Sequence, residues 1–188
     1  MILFVNACVR SNSGTKRLAD HLLSGQDERI EEVNLETVSF PQTDKAYLNR
    51  RDELIANRKY DDPMFRLANQ FAKADKIVIA APYWDLSFPA SLKQYFEHIN
   101  VIDITFTYTA DGKPKGLCKA KELYYVMTAG GIFVPLEFGF GYVKTLCSGF
   151  YGIPEVKLIA AKGLDIDGAD VERIMADAIG NMSETVRE

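Results

Sequence analysis

Lys76-Ile77-Val78-Ile79-Ala80-Ala81-Pro82-Tyr83-Trp84-Asp85-Leu86-Ser87-Phe88-Pro89 decides the fold. The unbroken Ile-Val-Ile-Ala-Ala run is what a strand of a parallel sheet needs when both of its faces are covered. Pro82 ends it, because proline has no N–H to give the ladder. From Pro89 the period changes, with Leu92, Tyr95, Phe96 and Ile99 on one helical face and Ser87 placed to cap it. A buried strand, an aromatic loop and a helix thus follow one another directly.

Toward the N-terminus the same alternation repeats. Ile2 to Val5 is a short apolar strand, and from Ser13 a helix carries Leu18, Ala19, Leu22 and Leu23 to Gly25. Arg29 to Leu35 reads as a strand, Asp44 to Asn57 as a polar stretch, and Asp62-Pro63 opens a helix bearing Met64, Leu67, Ala68 and Phe71. Toward the C-terminus, Thr105 to Tyr108, the turn Asp111-Gly112 and the return to Leu117 form a hairpin. Glu122 to Thr128 is a fourth strand and Val156 to Ala160 a fifth. Val143, Leu146 and Phe150 lie on a helix between them, and Val171, Ile174, Met175, Ala178 and Ile179 on a closing one. Five strands alternating with helices require parallel pairing through right-handed crossovers, hence a doubly wound three-layer α/β sandwich. No linker or repeat divides the chain, so one domain over residues 1–188 is expected.

The 188 residues are 47% hydrophobic and 26% charged, with net charge −4, which argues against nucleic acid or an anionic membrane as the main partner. The longest apolar run, Ile77 to Trp84, is far too short to span a bilayer. No basic residue precedes an apolar stretch at the start, so no secretory signal is expected. Three cysteines without a CxxC pair suit a reduced, cytoplasmic compartment. With only His21 and His98, a metal site is not expected.

In such a sheet the ligand lies beyond the C-terminal ends of the strands. The loop after the first strand, Cys8 to Arg17, gathers Arg10, Ser11, Ser13, Gly14 and Thr15 at a helix N-terminus, the arrangement of a phosphate site. Neither GxGxxG nor a P-loop occurs. The loop after the third strand offers Pro82, Tyr83, Trp84, Asp85 and Leu86 as a wall for a planar group. The loop after the fourth offers Thr128, Ala129, Gly130 and Gly131, whose glycines allow a ligand to approach the backbone. A phosphate cradle, an aromatic wall and a backbone-donor loop describe a mononucleotide with a flat ring, and flavin mononucleotide (FMN) fits best.

With these residues the chain resembles the FMN-dependent NAD(P)H:quinone oxidoreductases and azoreductases. Arg10, Ser13, Thr15, Leu18 and Ala19 resemble the family's phosphate loop, Pro82 to Phe96 its ring loop and following helix, Thr105 to Leu117 its hairpin, and Thr128 to Gly131 its Gly-Gly loop. Asn often stands in the family where this chain has Asp85, Ser where it has Cys8, and Arg or Thr where it has Ala129. The resemblance implies a flavodoxin-like sheet of order 2-1-3-4-5 with a hairpin near residues 104–118. It implies NADH or NADPH as hydride donor to flavin N5, ping-pong transfer to a quinone or azo acceptor, and a homodimer that buries Phe138, Phe140 and Tyr142. Phe106, Tyr108 and Phe133 are candidates for the substrate pocket, and Asp85 either faces away from the ring or lowers the flavin potential. No side chain is named as catalytic acid or base. A flavodoxin-type electron carrier without nicotinamide turnover is the alternative, and a flavin-free module of the same fold a second.

Overall fold

The computed structural model describes residues 1–187, with side chains through Met182; the last residue of the expected 1–188 domain lies outside it. The chain runs β1 (Ile2–Asn6), α1 (Gly14–Ser24), β2 (Ile30–Asn34), α2 (Lys45–Ala56), α3 (Arg66–Lys73), β3 (Lys76–Ala80), α4 (Ala90–Ile99), β4 (Phe106–Tyr108), β5 (Pro114–Gly116), β6 (Glu122–Ala129), α5 (Phe140–Leu146), β7 (Glu155–Lys162) and α6 (Val171–Arg187). A 3-10 turn, Pro63–Phe65, precedes α3, and a π turn, Cys147–Tyr151, follows α5.

The main sheet has the order β2-β1-β3-β6-β7, all parallel, and β4-β5 form a separate antiparallel hairpin. Counting only the parallel strands, this is the expected 2-1-3-4-5. The order arises because β1, β3 and β6 are apolar on both faces, and only central strands can bury such residues. Leu3, Val5, Ile77, Ile79, Leu123 and Tyr125 join the core on the face that carries Phe71, Tyr95, Phe96 and Val143. Ile2, Phe4, Val78, Tyr124 and Val126 meet Leu18, Leu22 and Met175 on the other. Each such side chain fully buried contributes roughly 1.5–3 kcal/mol.

Two expectations are corrected. The polar stretch Asp44 to Asn57 is the helix α2, capped by Asp44, whose carboxylate accepts from Tyr47 N–H at 2.8 Å. Ser87 does not cap α4, whose N-cap is Pro89; the Ser87 hydroxyl instead donates to Phe138 O at 2.7 Å.

The hairpin is docked through glycines. Gly116 lies so close to the Tyr151–Gly152 backbone that a Cβ on it would overlap Tyr151 C and O and Gly152 N. Gly152, at φ +75°, returns the approach, since its own Cβ would stand 3.1 Å from Gly116 Cα. At the N-terminal ends of β1 and β3, Asp75 accepts from Lys119 and from the Met1 ammonium at 2.5 Å. Lys119 first, then the ammonium, hold its carboxyl down to about 2. A depressed carboxyl stabilises the fold above its unfolded value and loses that contribution as pH falls through the folded one. Asp75→Asn is therefore expected to lower the melting temperature at pH 7, with the gap closing between about pH 4 and about pH 2. Thermal melts at stepped pH check this, and a gap that stays constant would contradict it.

Candidate functional site

A cavity of about 1020 Å³ opens at the C-terminal ends of β1, β3 and β6, where β1 and β3 send their helices to opposite faces. Arg10, Ser11, Asn12, Ser13 and Gly14 line one side, Pro82, Tyr83 and Trp84 another, and Thr128, Ala129 and Gly130 the floor. The three loops expected from the sequence do converge.

At the start of α1, Ser13 Oγ accepts from Lys16 N–H at 3.3 Å and Ser13 O from Arg17 N–H at 3.0 Å. The Gly14 and Thr15 N–H groups have no acceptor among the described residues and stand at the positive end of the helix dipole. The Thr15 side chain itself is buried and engaged, its hydroxyl 2.6 Å from that of Thr128, which ties the beginning of α1 to the end of β6. Two cations of this helix are already paired. Lys16 donates to both carboxylate oxygens of Asp20 at 2.7 and 2.8 Å, and Arg17 makes a two-pronged bridge to Glu172 of α6 at 2.8 and 2.6 Å. That guanidinium holds Glu172 below the usual carboxylate range. Arg10 has no such partner among the described residues and is the cation available to a phosphate.

The wall is a tight turn. Trp84 and Ser87 exchange backbone hydrogen bonds at 3.2 and 2.7 Å, with Asp85 and Leu86 both left-handed at φ 48° and 67°. A two-residue turn of this kind matches the twist of its flanks but strains non-glycine residues. Asp85 and Leu86 do not line the cavity; they project beyond it. Tyr83 donates its hydroxyl to Pro135 O at 3.1 Å, and Ser87 its own to Phe138 O, so the loop at 82–89 is cross-tied to that at 132–139.

On the floor, the carbonyls of Ala129, Gly130 and Gly131 accept from Leu164, Asp165 and Gly163 at 3.2, 3.0 and 3.0 Å. Those three residues follow β7. The Gly130 and Gly131 N–H groups have no acceptor among the described residues. Gly131 itself lies outside the cavity lining, while Leu164, Asp165 and Glu172, not named from the sequence, belong to it, as do Val171 and Met175, expected only as a helix face.

The substrate-pocket candidates fall elsewhere. Phe106 and Tyr108 border a second, smaller cavity of about 330 Å³ with Arg51, Ile55 and Val101, and Phe133 is 78% exposed on the 132–139 loop. Phe140 and Tyr142, expected to be exposed, are half-buried against Tyr125, Phe88 and Phe96, whereas Phe138 is open.

Burial pushes the Cys8 thiol up, and it pushes the Tyr83 phenol up with help from Glu137. Among the described residues no cluster of His, Cys, Asp or Glu suits a metal, and no helix is long and apolar enough to cross a membrane. Among the described residues the site provides unpaired N–H donors, the unpaired Arg10 guanidinium, a flat aromatic side and close backbone approach. That donor set fits the phosphate and ring of FMN.

A family model described as "Flavodoxin-like fold" matches residues 1–186. An FMN-dependent NADH:quinone oxidoreductase of Lachnoclostridium phytofermentans is 37% identical over 91% of this chain and 90% of that protein. One of Coprothermobacter proteolyticus with the same name is 35% identical over 100% and 98%. Among solved structures, the azoreductase from Bacillus anthracis superposes with a TM-score of 0.84 at 23% identity, over 97% of this chain and 96% of that one. The chain therefore belongs to the flavodoxin-like family of FMN-dependent NADH:quinone oxidoreductases.

Proposed function

We propose that this protein is an FMN-dependent NADH oxidoreductase, carried on one domain, that passes two electrons to a quinone or a related aromatic electrophile. The carrying observation is the convergence on one cavity of the Arg10–Gly14 cradle, the Pro82–Trp84 wall and the Thr128–Gly130 floor. FMN bound there supplies hydride acceptance and donation at N5. The protein's part is to hold and to shape. Arg10 and the first-turn N–H groups of α1 take the phosphate, and Trp84 flanks the ring. The Gly130 N–H group, on a residue whose carbonyl is held by Asp165 N–H, is a donor for a ring carbonyl. Hydride chemistry is the cofactor's, and the residues of the cavity bind it and position its ring. The mouth beside Trp84 serves donor and acceptor in turn, the ping-pong order.

The face around that mouth is apolar. Trp84, Leu86, Ile132, Phe133 and Phe138 are all exposed on the two cross-tied loops, a cluster of apolar side chains of the kind that marks an interaction surface. A second copy of the chain is the occupant we assign to it, and a substrate pocket shared between copies would let Phe106 and Tyr108 contribute from the partner. Phe138→Asp is expected to convert a dimer to a monomer in analytical ultracentrifugation, and an unchanged sedimentation coefficient would refute the assignment. Three buried, unpaired cysteines support a cytoplasmic setting.

The functional test is an anaerobic spectrum of the FMN-loaded protein before and after one equivalent of NADH. Bleaching at one equivalent, followed by recovery on adding a quinone, is the expected result. Failure to retain FMN would overturn the enzyme reading, and retention without bleaching would favour an electron carrier.

A further inference from the structure

The carboxylates around the main cavity are not equivalent. Asp20 is tied to Lys16, and Glu172 to Arg17. Asp165 lines the same cavity with no hydrogen bond or ion pair to its carboxylate among the described residues. Its position is nevertheless fixed. Its backbone N–H donates to Gly130 O at 3.0 Å, between the Gly163 and Leu164 bonds to the same loop, so the segment after β7 is laced along residues 129–131. Its side chain lies over the Cα of Gly130, where a Cβ would overlap Oδ2 and stand 2.7 Å from Cγ. Glycine at 130 thus leaves room for the carboxylate against the peptide whose N–H is free to meet the ring. Of the two readings the sequence left for Asp85, the structure agrees with the one that faces it away, since it stands on the turn and does not border the cavity.

We propose that Asp165, held on Gly130, sets the redox potential of the bound flavin. The inference rests on the FMN reading above. A flavin ring gains negative charge on two-electron reduction, and an uncompensated carboxylate at the edge of a partly water-excluded cavity disfavours that charge. The site then holds oxidised FMN more tightly than reduced FMN, which lowers the midpoint potential and makes the reduced protein a stronger hydride donor to acceptors. Because the carboxylate is solvent-accessible, its effect weakens with salt.

The test is equilibrium, not turnover. Midpoint potentials of the wild type, Asp165→Asn, Asp165→Glu and Asp167→Asn are measured by dye-equilibrated reductive titration. Dissociation constants for oxidised and reduced FMN accompany them, at low and high salt. Asp165→Asn is expected to shift the ratio of the two constants about tenfold toward the reduced form, equivalent to about 30 mV upward for a two-electron couple. Asp165→Glu restores most of the wild-type value. Asp167→Asn, which removes the same charge two residues away and outside the cavity lining, leaves it unchanged. No shift in Asp165→Asn, or an equal shift in Asp167→Asn, would overturn the proposal. Loss of FMN from the wild type itself would be a different failure, that of the cofactor reading, and would take the proposal with it.

Discussion

Gly116→Ala is expected to lower stability by about 3 kcal/mol, at the upper end of what overpacking costs, because the added methyl meets backbone rather than a side chain that can rotate away. Tyr151 C and O and Gly152 N belong to the π turn and its left-handed exit, and Cys118 N–H donates to Tyr151 O at 3.3 Å just beyond β5. Moving this segment apart would also disturb Tyr151, whose ring packs 5.1 Å from that of Phe71 in the core. For a chain of this size the loss corresponds to a melting temperature lower by about 10 °C. Thermal unfolding followed by circular dichroism measures it, and a drop below about 2 °C would show that the two backbones part easily. Gly112→Ala, at φ +79° but in open space, is the comparison: it carries backbone strain alone and should cost less.

The second large effect concerns the cofactor. Arg10→Ala should weaken FMN binding about 100-fold, the order expected for losing a charge-assisted contact to a phosphate. Arg10 is the unpaired cation at this loop among the described residues. Lys16 and Arg17 lie in the first turn of the helix itself, yet each already has a carboxylate, and recruiting either means breaking that pair. Fluorescence titration of the apoprotein with FMN and with riboflavin separates the contributions: Arg10→Ala should hardly affect riboflavin, which has no phosphate. A loss under threefold for FMN would mean that one of the paired cations, or the helix terminus alone, takes the anion.

Much of this was legible in the sequence for a physical reason. A strand such as Lys76–Ala80, apolar at every buried position, has few places to go except the middle of a parallel sheet, and the loops that follow such strands must then meet at one end. The start of α1 at Ser13 was visible because its cap, Ser13 Oγ accepting from Lys16 N–H, is a contact across a few residues. Ser87 did not, because its partner is the carbonyl of Phe138, remote in sequence. The helix α2 escaped notice since only Leu54 of it is buried, which leaves little periodicity; the remaining signal was the Asp44 cap. Asp165 and Leu164 were invisible as cavity residues for a related reason. They reach the site only through the register of β7 on β6, which places the chain after Lys162 beside the chain after Ala129.

The three thiols are sealed into different layers. Cys8 lies beneath the phosphate loop on the α1 side of the sheet, while Cys118 and Cys147 sit in the opposite core, with burial pushing Cys118 up to about 12. Neutral and enclosed, none of them meets an alkylating reagent while the fold is closed. Labelling therefore becomes a clock for local opening: mass spectrometry of pulse-alkylated protein would time Cys8 against the other two, and so show which side of the sheet loosens first on heating.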